Sequence, residues 1–160
     1  MQGLLIANED RDARSQLAAL FEQDGYQVTT TDSVVNALEG ILNKTIQVVV
    51  LAGELNEAMV SKLVPLLKKC NQQLSIILVA DEIPLNLLRR IRKEGIFYHA
   101  LTPAGEDGQD EIYQAVHYAF RNYREHSRAA RSTPNLALSL RNGKAILSTL
   151  LLLLALNVRG

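Results

Sequence analysis

Five short apolar runs punctuate the chain, at Leu4 to Ala7, Tyr26 to Thr30, Gln47 to Ala52, Ser75 to Val79 and Phe97 to Leu101. Each leads into a stretch whose apolar residues recur at helical spacing. After the first run, Leu17, Leu20 and Phe21 form a stripe that stops at Asp24-Gly25, where glycine is placed to close a helix. After the second, Asp32 or Ser33 is placed to cap a helix carrying Val35, Leu38, Ile41 and Leu42. The third is followed by Met59, Leu63, Leu66 and Leu67, and the fourth by Leu87, Leu88 and Ile91 up to Gly95. The fifth is followed by Ile112, Val116, Ala119, Phe120 and Tyr123. Parallel strands need crossover connections, so this alternation predicts a (βα)5 fold of the α/β class, a doubly wound parallel sheet with helices on both faces. No repeat of solenoid period and no low-complexity linker competes with it.

The run Val48 to Leu51 is continuous and rich in β-branched residues, as expected of a central strand buried on both faces. In open α/β sheets the chemistry sits just beyond the carboxyl ends of such strands. Here that place is taken by Ala52, a methyl group.

Length and composition add bounds. At 160 residues, 48% hydrophobic and 21% charged, the chain suits one globular domain with an appendage. Its 17 basic and 17 acidic residues balance, so nothing in the overall charge draws it to nucleic acid or to an acidic membrane. The single Cys70 lies among Lys68, Lys69 and Asn71 with no metal-ligating neighbour and reads as a reduced thiol. Met1-Gln2-Gly3-Leu4 enters a strand without the basic and apolar regions of a secretion signal, which predicts a cytoplasmic domain.

Landmarks now accumulate. Leu4-Leu5-Ile6-Ala7-Asn8-Glu9-Asp10 joins a strand to an acidic turn, Gly25-Tyr26-Gln27-Val28 opens the second strand, and Ile76-Ile77-Leu78-Val79-Ala80 forms the fourth. Gly95 to Pro103 forms the fifth strand and ends in Thr102-Pro103. In these features residues 4 to about 124 resemble the receiver domain of bacterial two-component response regulators, which have the flavodoxin-like fold. The resemblance sets a receiver-like domain at 1–126, and the composition of the remainder sets a basic linker or helical extension at 127–144 and an apolar C-terminal helix at 145–158. It also implies a cis Thr102–Pro103 bond, which proline permits at roughly 0.5–1 kcal/mol relative to trans.

Receiver chemistry uses a carboxylate nucleophile, carboxylates that hold Mg²⁺, a hydroxyl and a lysine. In the matching places this chain has Ala52 for the nucleophile, Val79 for the hydroxyl and Thr102 for the lysine, and of the acidic pair Asn8 is neutral. No catalytic residue and no cofactor is therefore expected. Glu9 and Asp10 are the weak candidates for a metal. Phosphoryl transfer needs positioning and charge stabilisation together, and the loss of three parts predicts a module that is not phosphorylated and is not an enzyme. Two alternatives stay open: a metal or small ligand at the strand-end mouth of Glu9, Asp10, Glu54 and Asp81, or a phosphoryl acceptor displaced to Glu54 or to Asp81-Glu82.

What remains is a surface for protein partners. In the resembling family the usual interaction face is the fourth helix, fifth strand and fifth helix. Here that face would include Arg89, Arg90, Arg92 and Lys93, His99 at the family's switch aromatic, and Tyr113, His117, Arg121 and Arg124. Tyr113 and His117 are four apart and share one side of a helix. Arginine and tyrosine are enriched at binding hot spots. The expected partner is another signalling protein or a second copy of the chain. A solvated outer helix would have the same composition, and a lone His99 is equally a packing residue.

Composition shifts after Arg131-Ser132-Thr133-Pro134, where Arg141 and Lys144 precede the leucine-rich segment 145–158. Fourteen helical residues span about 21 Å, short of the roughly 30 Å of a hydrocarbon core. A helix apolar on every side must be buried in protein or lipid. Length favours docking or self-association through this segment. The basic flank suits a membrane anchor and keeps membrane association as the second reading. No DNA-binding fold follows the receiver-like part, and no nucleic-acid partner is expected.

Overall fold

The computed structural model describes residues 2–53, 57–103 and 106–131. The chain divides into two compact units, Met1–Tyr123 and Arg124–Gly160. The expected extension beyond residue 131 and the apolar segment 145–158 lie outside the described residues, as does Glu54. Among the described residues no helix is long and apolar enough to cross a membrane.

Five strands, β1 (Gly3–Ala7), β2 (Gln27–Thr31), β3 (Val48–Leu51), β4 (Ser75–Val79) and β5 (Tyr98–Ala100), form one parallel sheet in the order β2-β1-β3-β4-β5. They alternate with helices α1 (Arg11–Gln23), α2 (Leu38–Leu42), α3 (Glu57–Cys70), α4 (Leu85–Lys93) and α5 (Glu106–Arg131). This is the flavodoxin-like receiver fold expected from the alternation of runs.

The two-residue period of the strands builds two cores. Leu4, Ile6, Val48, Val50, Ile77 and Val79 face one side, where Leu17 and Phe21 of α1 and Ile112, Val116 and Phe120 of α5 cover them. Leu5, Val49, Leu51, Ile76 and Leu78 face the other, under Ile41 of α2, Val60, Val64 and Leu67 of α3, and Leu87 and Ile91 of α4. On the first side the rings of Phe21, Tyr26, Tyr113 and Phe120 form one cluster. Phe21 meets Tyr26 edge-on at 5.7 Å and stacks on Tyr113 at 5.9 Å, and Tyr26 meets Phe120 at 5.1 Å. Gly25 closes α1 at φ 79°, a conformation glycine adopts without cost.

Several expectations shift in detail. The second connection is a single 3-10 turn at Val34–Ala37 followed by the five residues of α2. Val35 and Leu42, read as stripe residues, are exposed, while Val34, Ala37 and Ile41 are buried. Ser33 precedes the turn with no side-chain cap bond; its N–H donates to Thr31 Oγ1 instead, at 3.0 Å. On α3, Met59 and Leu66 face outward and the branched Val60 and Val64 face the sheet. Strand β5 is three residues long, and Leu101 past its end is exposed.

Two polar side chains pin the ends of elements. Buried Gln47 accepts from Gly3 N–H at 2.7 Å and donates to the Lys44 carbonyl at 2.6 Å, which fixes the start of β1 against β3. Lys68 Nζ donates to the carbonyls of Gln72 at 2.7 Å and Leu74 at 3.0 Å, tying α3 to the entry of β4. Its burial lowers its pKa below the ordinary lysine value.

Candidate functional site

The carboxyl ends of β1, β3 and β4 converge with the turn after β5 on a cleft of about 520 Å³. Asn8, Glu9 and Asp10 line it from the β1 turn, Ala13, Gln16 and Leu17 from α1, Ala52 and Gly53 from the end of β3, and Val79 from β4. Thr102, Pro103 and Gln109 complete it. Its floor is apolar: Ala52 is 8% exposed and Val79 2%. Ala52 N–H donates to the Ala7 carbonyl at 2.9 Å, so the third strand stays in register with the first up to this residue.

The acidic turn is employed in folding the backbone. Asp10 caps α1, its Oδ1 accepting from Asp12 N–H at 2.8 Å and Ala13 N–H at 3.1 Å, a charge-assisted arrangement suited to a helix N-terminus. Asn8, 7% exposed, accepts from Asp10 N–H at 2.9 Å, while its carbonyl accepts from the guanidinium of Arg14. Of the two weak metal candidates, Glu9 is exposed on the rim and Asp10 is already bonded twice. Among the described residues no group of three or more His, Cys, Asp and Glu side chains could hold a metal ion.

Gly53 sits at φ 100°, and a Cβ there would come within 2.9 Å of Asn8 Oδ1. The close approach of the two chain segments therefore needs glycine.

Across the mouth, Asp81 is engaged by the backbone of a cleft residue. Its Oδ1 accepts from Thr102 N–H at 2.8 Å, holding the turn after β5. The Thr102–Pro103 bond is trans, which corrects the expected cis bond. Trans is the lower-energy isomer by roughly 0.5–1 kcal/mol, and the Asp81 contact holds this turn without a cis step. His99 donates from Nε2 to the Ala80 carbonyl at 2.8 Å, crossing from β5 to the end of β4.

Arg89, Arg90, Arg92 and Lys93 are all exposed on α4. On β5, Tyr98 donates to Glu111 Oε1 of α5 at 3.0 Å, a bond that with desolvation raises its pKa. The fifth helix is oriented differently from the expectation. Tyr113 stacks on Phe21 of α1 and is bonded to Asp24, which raises its pKa. Glu111 marks the side of α5 that meets β5. At 100° per residue Tyr113 and His117 project on the α1 side, away from Tyr98 and α4. Arg121 is exposed, and Arg124 begins the second unit. Gln16, Gly53 and Gln109 were not singled out from the sequence. Gln16 lies three residues after Ala13, which also lines the cleft, on the helix that Asp10 caps.

No family model matches this sequence, and no curated protein does. Solved structures do resemble it in fold. The beryllofluoride-activated NtrC4 receiver domain dimer aligns with a TM-score of 0.66 at 18% identity, over 77% of this chain and 99% of that one. A CheY-like receiver domain protein from Methanospirillum hungatei JF-1 aligns at 0.62 and 16% identity, over 76% and 98%. A response regulator receiver domain protein from Clostridium thermocellum aligns at 0.62 and 18%, over 78% and 98%. At these identities the likeness is one of fold.

Proposed function

We propose that this chain is a receiver-like signalling module of the two-component type that takes up no phosphoryl group and acts by protein–protein interaction, as an adaptor or scaffold. The observation that carries this reading is Ala52, a methyl group at the end of the central strand, in a floor completed by Val79. A methyl cannot attack phosphorus, and no conformational change supplies the missing carboxylate. Thr102 carries no charge to stabilise a phosphoryl group, and Asp10 is held by its cap bonds. In this reading the module has no catalysis of its own, and the exposed Arg89, Arg90, Arg92 and Lys93 of α4, together with His99, form the first surface to test for a partner.

The test is incubation of the full chain with acetyl phosphate and Mg²⁺, followed by intact-mass measurement. No added mass is expected. A gain of one phosphoryl group that disappears on Glu54→Gln or Asp81→Asn overturns the proposal and places the acceptor on a displaced carboxylate.

A second reading draws on the cleft above Ala52, whose volume of about 520 Å³ falls in the ordinary range of ligand pockets. In it the module responds to a metal or small molecule. Thermal-shift titration with Mg²⁺ separates the two, since a saturable rise in Tm that is lost on Glu9→Gln favours the second.

A further inference from the structure

We propose that the β2 edge of the sheet is a self-pairing surface, at which two copies of this chain join antiparallel about Thr29 into one continuous ten-stranded sheet. This is independent of whether the strand-end cleft takes a phosphoryl group, and it concerns the side of the sheet away from α4.

The backbone supplies the first observation. Gln27 N–H donates to the Gln2 carbonyl at 3.0 Å, and the Thr31 carbonyl accepts from Asn8 N–H at 3.1 Å. In a parallel ladder alternate residues bond to one neighbour. Residues 27, 29 and 31 therefore pair with β1, and the main-chain N–H and C=O of Val28 and Thr30 point outward from the last strand of the sheet.

The second observation is composition. Folded proteins guard such edges with lysine, proline, bulges or a covering element. Strand β2 reads Gln-Val-Thr-Thr-Thr, with no charge and no proline, and is largely exposed, with a five-residue register to β1 free of bulges. The opposite edge strand, β5, is by comparison only three residues long.

The third observation is room. Because the second connection is only a 3-10 turn and the short α2, a groove of about 430 Å³ runs beside the strand. Gln27, Thr29 and Thr31 line one wall and Asn36, Glu39 and Asn43 the other.

These features fit a second copy. Antiparallel pairing centred on Thr29 sets Val28 against the other copy's Thr30, so that both outward residues exchange N–H and C=O bonds in two equivalent pairs. Thr29 then faces its own counterpart in the closer, non-bonded pairing, about 4.5 Å between Cα atoms. Threonine pairs are favourable there. No like charges fall opposite one another, since Asp32 lies across from Tyr26. Glu39, the charged residue of the groove wall, belongs to α2 and stays outside the ladder.

The experiment uses the full chain and sedimentation velocity over a wide concentration range. A reversible dimer is expected, and Thr29→Lys weakens it about tenfold or more by placing two ammonium groups opposite each other. Thr29→Asp does the same, and an equimolar mixture of the two variants re-forms a heterodimer. Circular dichroism on each variant confirms folding. Register is read by mild oxidation in a Cys70→Ser background: Thr29→Cys cross-links to itself, within the roughly 4.4–6.8 Å that a disulfide spans. Gln27→Cys and Thr31→Cys cross-link only when mixed. A monomer at every concentration overturns the proposal. So does a dimer that Thr29→Lys leaves unchanged, which would assign assembly to α4 or to the apolar segment, and so does cross-linking without register preference.

Discussion

Strands β1, β3 and β4 differ sharply between their lengths and their ends. Along their lengths the apolar residues serve the two cores, with Leu4 to Ile6, Val48 to Val50 and Ile76 to Leu78 wholly buried. At their ends the same strands open on a cleft floored by Ala52 and Val79, whose acidic turn holds a helix cap and an Arg14 contact. Burial of apolar surface, at about 25 cal/mol per Å², keeps the scaffold under strong physical constraint whatever happens at the mouth. The difference teaches that the shape of a receiver domain and the reaction of one rest on different atoms. Here the first is complete and the second is proposed to be absent.

The comparison is broken most directly by exchanging the two regions' vulnerability. Phe120→Ala removes a ring from the core under α5 and is expected to cost about 3–5 kcal/mol in urea unfolding. Thr102→Ala at the mouth keeps the backbone bond to Asp81 and is expected to change stability by less than about 0.5 kcal/mol. Equal losses would mean that the cleft is part of the scaffold.

A smaller effect sharpens the role of the acidic turn. Asp10→Ala removes the cap of α1 and is expected to cost about 1 kcal/mol, within a range of roughly 0.5–2. Isothermal titration with Mg²⁺ should give the same result for variant and parent. A change in Mg²⁺ binding would make Asp10 a ligand first and a cap second.

The smallest expected effect lies at the far end of the sheet. Lys68 has a folded-state pKa below its ordinary value because burial disfavours its charge. Between those two values the unfolded chain binds more protons, so this residue makes stability rise with pH across that window. Tyr98 and Tyr113, raised by their carboxylate partners, act in the opposite sense above the ordinary tyrosine pKa. The Lys68 contribution is therefore read as a difference. Lys68→Met should flatten the rise, and the Lys68 side-chain NMR signal should titrate below that of an unburied lysine.

Much of this architecture was legible in the sequence, because a period of two in short branched runs and of about 3.6 between them constrains both type and order of elements. Ala52 could be placed at a strand end for the same reason. What the pattern could not carry was the phase of helices relative to their neighbours. On α3 the stripe Met59, Leu63, Leu66 and Leu67 holds at Leu67 and partly at Leu63, but Met59 and Leu66 face outward and the compact Val60 and Val64 join Leu67 against the sheet. On α5 the flanks of the stripe Ile112, Val116, Ala119 look alike in sequence, and only the packing against Phe21 decides that Tyr113 belongs to the α1 side. The partnership of Asp81 with Thr102 joins residues 21 apart through the sheet and has no local signature.

The ring cluster of Phe21, Tyr26, Tyr113 and Phe120 also gives the molecule an optical asymmetry. The chain has no tryptophan, five tyrosines and three phenylalanines, and none of these aromatic residues belongs to the core beneath α2, α3 and α4. Near-ultraviolet circular dichroism, which reports aromatic rings held in fixed asymmetric surroundings, therefore watches the α1 and α5 face of the sheet and is blind to the other. Set beside far-ultraviolet signal, which follows the helices on both faces, it times the two faces separately during unfolding without any label.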